Sequence, residues 1–428
     1  QPVDAVPSTE KITVNRLALT GVSLYSETNL LELTGFVPGS SLSLPDLQRM
    51  AGSITRFYQQ NGYFVAQAYL PAQDINQGVV TIAVIEGHYG QVSLNNESRV
   101  SNHIARDLLT PIQSGDVVAA APLENQLLLL SDLPGVKVSS TLVPGATLGT
   151  SDLVVNVKPG PAISGSIDAD NAGNRYTGAN RIGATLNFNE PLGYGDVATL
   201  RALTSGPGLN YLRAAYQRQF GKASAGVSYS ALRYELGQEF AALQANGSAD
   251  VLSLYGSYPV IRSRHSNHYA TLALDHKRFQ DKVDSTGSVA DKRAQVLTAG
   301  LSGNHSDTVL GGGQTAYAVA WSAGNLDLQT PAVAALDSVT AQSNGHFNKL
   351  GFHLSRQQNL TEAVSLSAAL SGQLASKNLD VSEKMELGGM YGVRAYPEGE
   401  AYADEGYLLT LEARLLLPKL NDHVPGRV

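Results

Sequence analysis

The stretch "VSLSAALSG", Val364 to Gly372, has a period of two. Val364, Leu366, Ala368 and Leu370 fall on one side, and Ser365, Ser367, Ala369 and Ser371 on the other. That period belongs to an extended strand whose two faces meet different surroundings. The same pattern recurs on both sides of it. "YLRAAYQRQF" sets Tyr211, Arg213, Ala215, Gln217 and Gln219 against Leu212, Ala214, Tyr216, Arg218 and Phe220. "YAVAWSAG" aligns Tyr317, Val319, Trp321 and Ala323, and "LLTLEARLLLP" places Leu409, Leu411, Ala413, Leu415 and Leu417 opposite Thr410, Glu412 and Arg414. Such runs exceed the usual globular strand of about 5 or 6 residues and suit a tilted membrane crossing.

The pattern predicts about twelve strands after residue 159: 162–171, 179–190, 196–206, 209–220, 223–236, 249–262, 266–279, 292–305, 312–327, 343–357, 362–376 and 406–417. From the fifth strand on, long polar links (237–248, 280–291, 328–342, 377–405) alternate with short turns (263–265, 306–311, 358–361). Outer-membrane barrels have this asymmetry, with short periplasmic turns and long external loops. If the N-terminal region is periplasmic, odd strands run outward, and all four long links follow odd strands.

Composition agrees. The chain has 428 residues, more than one hydrophobic core usually organises, so two or more units are expected. Charged residues are 16%, against about 25% in soluble domains, and the 42 glycines exceed the usual share. The net charge of −7 argues against a nucleic-acid partner and gives no basic footprint for anionic lipid. No apolar run reaches the length of about 18 residues that a spanning helix needs, so any membrane entry must be as a closed barrel. There is no cysteine, hence no disulfide or thiolate metal site. The chain begins at Gln1 without a charged and apolar leader, which suits a mature form or a cytosolic protein.

Catalytic and cofactor motifs are missing. There is no phosphate-binding G-x-x-x-x-G-K-[ST], G-x-S-x-G or H-E-x-x-H. His265 and His268 have metal-like spacing but fall at a turn, and the calcium-like "DADNAG" at 168–173 has Ala172 and Ala179 where ligands are required. "GGG" at 311–313 reads as a tight turn. The four carboxylates after Arg394 (Glu398, Glu400, Asp404 and Glu405) read as loop acids, and neither an enzyme nor a cofactor is expected.

From Lys11 to Lys158 strands and helices alternate. "ITVNRLALTG" is a strand, "SETNLLELTG" a short helix with Ser26 as N-cap, and "LPDLQRMAGSITRFYQQNGY" a longer helix with Leu47, Met50, Ile54, Phe57 and Tyr58 on one face, ended by Gly62. "FVAQAYL" and "VVTIAVIEG" follow as strands. The order repeats in "YGQVSL", "SNHIARDLLT", "AAPLENQLLLLSDLPG", "VKVSSTLVP" and "SDLVVNVKPG", predicting tandem α+β modules of about 75 residues each. Tyr63, Phe64 and Tyr69 are candidate substrate anchors, though some are expected in the module core.

Several fragments resemble two-partner secretion outer-membrane transporters of the haemolysin activator and filamentous haemagglutinin transporter type, within the POTRA-containing barrel superfamily. Gly62, Tyr63, Leu70, Pro71, Gly78, Glu86 and Gly87 match the second half of that family's first POTRA module. "DADNAGNRYTGANR" is similar to its first barrel hairpin through Asn171, Gly173, Thr177, Gly178 and Arg181, and "NEPLGYGD", with Glu190 inserted before Pro191, resembles the next turn. "GVRAYPEGEAYADEG" resembles its sixth external loop, with Val393, Arg394, Ala395 and Tyr396 as one motif and Asp404 and Gly406 in a second. Ala395 and Ala403 stand where the family has glycine.

The resemblance implies a linker at 1–11, POTRA modules at 12–87 and 88–158, and an antiparallel transmembrane β-barrel from 159 to 428. The family barrel has about sixteen strands, so roughly four are expected beyond Val428, and the family's N-terminal plug helix is expected to precede this chain. In the resembling transporters the sixth loop folds into the barrel, where its Arg, an ion in a confined site, pairs with an inner-wall Asp on a strand after the twelfth, expected beyond Val428; within this chain Glu412 is the candidate substitute. The expected function is export of an unfolded, large β-helical exoprotein across the Gram-negative outer membrane. The modules would sit in the periplasm and the 377–405 loop would gate the pore. Expected partners are that client and outer-membrane lipid, with the transporter a monomer. The alternatives are a barrel-assembly factor, a passive porin, or a soluble β-rich adhesin or enzyme.

Overall fold

The computed structural model describes residues 10–390 and 392–416, so the expected linker falls outside it up to residue 9, as does Leu417. The chain divides into two compact units: 1–98 with 105–131 and 137–158, and 99–104 with 132–136 and 159–428.

The first unit holds two α+β folds of the same topology. In the first, β1 (Lys11–Val14), β2 (Arg16–Thr20), α1 (Glu27–Glu32), β3 (Ser40–Ser43), α2 (Leu44–Gln60), β4 (Gln67–Tyr69) and β5 (Val79–Ile85) follow in order. The main sheet is β2-β5-β4, with β2 and β5 parallel and β4 and β5 antiparallel, while β1 pairs with β3. The single strand expected at 12–21 is broken at Asn15, because the amides of Asn15 and Arg16 both donate to the Gly78 carbonyl and redirect the chain from one ladder to the other.

Helix α2 starts where its sequence provides a cap: Ser43 and Asp46 close a capping box and Pro45 lies in the first turn. Its buried face is Leu47, Ala51, Ile54 and Tyr58, packed in one cluster with Leu17, Leu19, Val80, Ile82 and Val84; Met50 and Phe57 flank it. The second fold repeats the plan with β6 (His88–Asn96), α3 (Asn102–Leu109), α4 (Ala120–Ser131), β7 (Val136–Pro144) and β8 (Thr150–Pro159) in sheet order β6-β8-β7. Leu153, Val155 and Val157 alternate into its core.

The motif residues of the first fold brace its core. Tyr63 and Leu70 pack against the cluster, whereas Phe64 and Tyr69 are exposed and Pro71 is partly covered. Gly62, Gly78 and Gly87 have positive φ, and a Cβ on Gly87 would meet Val65 Cγ2 at 2.4 Å. Glu86 is buried and accepts from the amides of Ser23 (2.8 Å) and Leu24 (2.9 Å), from the Ser23 hydroxyl, and from Tyr58 Oη (2.7 Å). Burial alone would raise its carboxyl, but these donors outweigh burial and hold it below the ordinary value of 4.5.

In the second unit twelve strands form one antiparallel sheet in chain order. They are β9 (Ile163–Asp170), β10 (Arg181–Asn189), β11 (Val197–Thr204), β12 (Leu209–Phe220), β13 (Ala223–Glu235), β14 (Ala245–Arg262), β15 (Ser266–Val283), β16 (Ser288–Asp307), β17 (Gly313–Leu328), β18 (Gly345–Asn359), β19 (Val364–Ala375) and, after a loop containing β20 (Met385–Glu386) and β21 (Tyr402–Ala403), β22 (Gly406–Leu415). Each strand pairs with its sequence neighbours, leaving β9 and β22 at the edges.

Register aligns Leu254, Leu274 and Leu297 on one face; Leu212, Phe220, Leu366 and Leu411 are likewise exposed. The opposite, inner face carries Ser253, Asp275, Thr298, Ser322, Lys349 and Ser371. Apolar residues outward and polar residues inward is the pattern of a membrane barrel wall. No described helix is long and apolar enough to cross a membrane.

Two expected links are shorter than their polarity implied. Residues 280–291 continue β15 and β16 to a turn at 284–287, and 237–248 shrink to a connection holding a 3-10 turn at Gln238–Leu243. The polar side chains of Gln280, Asp281, Lys282, Ser288 and Asp291 lie on strands extended past the apolar belt, which reads in sequence as loop. The 329–344 link carries α5 (Pro331–Val339).

The Glu86 network sets a test. A carboxyl depressed in the folded state contributes stability that is full above its unfolded value and is lost as pH falls through its folded one. Glu86→Gln should lower the local stability of residues 16–24 and 79–86 by about 2 kcal/mol at pH 7. The difference from wild type should shrink as pH falls below 4.5, read by amide hydrogen exchange on the full chain.

Candidate functional site

Between β19 and β22 the chain runs through residues 376–405, folded onto the inner face of the sheet. Leu379 is buried with Ala294, Val296, Leu326, Leu328 and Phe347, all on the inner side of β16, β17 and β18. Room for the Phe347 ring comes from Gly324, where a Cβ would approach it to 2.2 Å.

Beside this contact are the loop's strongest charges. Glu383, 3% exposed, receives Lys277 Nζ at 2.7 Å and Lys349 Nζ at 2.9 Å, one on each carboxylate oxygen. Asp380 lies 3.2 Å from Lys292 Nζ, which is also 3.1 Å from Asp281. The three lysines project inward from β15, β16 and β18, so the loop supplies counter-charges for wall cations. A carboxylate this buried is stable only with such partners.

The two ends of the loop are joined. Asp404 Oδ1 accepts the Leu379 amide at 2.8 Å and lies 3.3 Å from Lys384 Nζ. Gln373 Nε2 donates to the carbonyls of Glu383 (3.1 Å) and Asp404 (2.9 Å), the Ala375 amide donates to Glu405 (3.0 Å), and Gly406 begins β22 opposite Gln373. Beyond this root, β20 pairs with β21 and the tip forms tight turns: the Gly392 amide donates to Gly389 O and the Tyr396 amide to Val393 O (2.9 Å). A Cβ on Gly388 would meet Pro397 O at 2.2 Å, so the backbone crosses itself there. Ala395 and Ala403 are not at positive φ, so alanine fits where the resembling family has glycine.

Arg394 leaves the Val393–Tyr396 turn toward β22, with Nη2 2.6 Å from Glu412 Oε1, and Arg414 holds the other oxygen at 3.0 Å. The Arg394 side chain is 66% exposed, so the confined ion expected there is instead open to solvent, while Glu412 is half-buried. The tip also reaches the other end of the sheet order. Asn174 Nδ2 donates to Glu398 O at 2.9 Å, and Arg181 lies 3.4 Å from the Glu398 carboxylate while its Nε meets Asp170 at 2.9 Å. Thus one loop touches β22 and the β9–β10 hairpin. In that hairpin the Gly173 amide donates to Ala179 O (2.9 Å), the Thr177 amide to Asn174 O, and Gly178 has positive φ; Asn171 is exposed.

Sequence reading paired Arg394 with Glu412 but missed the Arg181–Glu398 contact and the set of Asp380, Glu383, Lys277, Lys292 and Lys349. The available signal was three lysines at inward strand positions, which need partners. Asp168 and Asp170, in the calcium-like stretch, bind Arg201 and Arg181. His268 contacts Ser266 and the Tyr317 hydroxyl, and no metal-binding cluster exists among the described residues.

Known proteins share this fold. Residues 149–423 match the family model "Haemolysin secretion/activation protein ShlB/FhaC/HecB", and residues 12–87 match "POTRA domain, ShlB-type". The chain is 31% identical to the Heme/hemopexin transporter protein HuxB of Haemophilus influenzae over 390 residues, 90% of this chain and 69% of that protein. It is 23% identical to the outer membrane transporter CdiB of Dickeya dadantii over 377 residues, 85% and 65% of the two chains. The solved CdiB from Escherichia coli superposes with a TM-score of 0.72 at 20% identity, covering 98% of this chain and 79% of that one, which shows a common fold. The chain belongs to the ShlB/FhaC/HecB family of two-partner secretion transporters: it is an outer-membrane transporter, not an enzyme.

Proposed function

We propose that this transporter exports an unfolded, large β-helical exoprotein, working as a monomer with both N-terminal α+β folds in the periplasm, the fold at 88–158 serving as a second POTRA module. The family model named for haemolysin secretion and the relative named for heme/hemopexin transport support a secreted protein as cargo. The N-terminal folds present edge strands, β4 and β7, to which an extended client adds a strand through backbone bonds with little demand on its sequence. Phe64, exposed just before β4, and Tyr69, exposed at its end, give such a client apolar footholds. Folding of the client outside the cell supplies the drive, since the chain carries no nucleotide-binding motif.

One observation carries the gating role: a single loop is bound to the inner face at its root and reaches from Glu412 to Arg181 at its tip. A client passing along that face must displace the tip. The root is held by a buried carboxylate between two lysines, and the tip by exposed or long ion pairs. The loop therefore swings at its tip about a fixed root, with Arg394 as the latch.

Three outcomes test this. Deleting residues 1–158 should abolish export while ion conductance persists; export by the deletion variant would indicate a passive pore. Arg394→Ala should reduce export with normal insertion and disturb the loop by no more than about 1 kcal/mol. Glu383→Ala, leaving Lys277 and Lys349 uncompensated, should destabilise residues 377–384 by about 3 to 5 kcal/mol, seen as faster amide exchange and raised resting conductance. Unchanged exchange there would remove the root from the account.

A further inference from the structure

A second charged cluster lies on the outer, lipid-facing side. Arg278 on β15 and Arg293 on β16 are register partners, each four residues beyond the aligned leucines Leu274 and Leu297 on the same face. Four residues rise about 14 Å along a strand, or about 10 Å along the membrane normal at barrel tilt. This places both guanidinium groups just above the apolar belt, at the end of the sheet bearing the 284–287 turn. Both side chains are exposed, and like charges directly opposite each other on neighbouring strands destabilise a sheet.

Carboxylates face the pair, Asp250 opposite Arg278, Asp327 opposite Arg293 and Asp291 two residues from Arg293 on the same face, but each has another partner, Asp291 accepting Gln280 Nε2 at 2.8 Å. Asp250 accepts Arg233 Nη2 at 3.1 Å and the Tyr229 hydroxyl at 2.8 Å, and Asp327 accepts Gln329 Nε2 at 3.0 Å. Arg278 Nε meets only the ring of His276, at 3.2 Å, and among the described residues neither Arg278 nor Arg293 forms an ion pair. Tyr229 lies on the same face two residues nearer the belt, in the row of Leu252 and His276, as aromatic side chains do at a barrel's membrane interface. Two adjacent forks facing outward at headgroup depth match an anionic phosphate, which arginine binds in bidentate fashion.

We propose that Arg278 and Arg293, flanked by Arg233 and His276, form a binding site for the phosphate of an outer-leaflet glycolipid. The overall charge of −7 conceals this local basic pair. The proposal rests on the outward orientation of the 284–287 turn, which is checked separately. The chain has no cysteine, so Ser285→Cys is labelled by an impermeant thiol reagent on intact cells only if that turn is external.

The full chain in nonionic detergent is titrated with phosphorylated lipid A, with dephosphorylated lipid A, and with inorganic phosphate. Phosphorylated lipid A should bind and raise the thermal midpoint, and the dephosphorylated form should not. Arg278→Gln/Arg293→Gln should weaken binding about tenfold or more, with Arg293→Gln alone intermediate. Equal binding by the variants, or by dephosphorylated lipid A, would overturn the proposal while Ser285→Cys labelling leaves the orientation standing. Equal protection by inorganic phosphate would reassign the pair to a small-anion site.

Discussion

A backbone amide or carbonyl that meets hydrocarbon must already have its hydrogen bond, because lipid offers none and each unsatisfied group costs several kcal/mol. The long antiparallel ladder meets that demand for every strand between its edge strands β9 and β22, and it imposes the period of two along each. Leucine, tryptophan and phenylalanine then face outward, while serine, threonine and lysine face in. The polar interior follows from the same constraint, and so does its need for counter-charges.

Three inward lysines create that need most acutely. A lysine against the inner wall is stable when a carboxylate comes to it, and the 376–405 loop brings two, Asp380 and Glu383. Leu379 adds apolar burial at the same point, so charge pairing and packing fix the root together. The tip is held differently. The Arg394–Glu412 pair is open to solvent on the arginine side, and Arg181–Glu398 is long. The loop is thus held strongly at its root and weakly at its tip, the distribution that the proposed gate requires, and its tip contacts lie on strands at the two ends of the sheet order.

Strand positions were legible because the period is strict: 209–220 could be read from the sequence to the residue. The hairpin at 280–291 was not, since Gln280, Lys282 and Asp291 lie on strand that has left the apolar belt, where polarity no longer separates strand from loop. The Arg394–Glu412 approach was readable because β22 alternates Glu412 with its outward leucines. Glu383 was not readable: an acid in a polar loop looks like any solvated acid until the fold shows which strand positions face it. The motif glycines and Glu86 proved to be internal braces of the first fold, something spacing alone does not distinguish from a binding role.

The most direct test fixes the tip in place. With cysteines introduced as Asn174→Cys and Glu398→Cys in this cysteine-free chain, a short cleavable thiol crosslinker joins the loop to the first hairpin. Export of the secreted partner should stop when the link is made and resume when it is cleaved, with each single variant exporting normally. Full export with the link intact would show that the client passes without moving the loop.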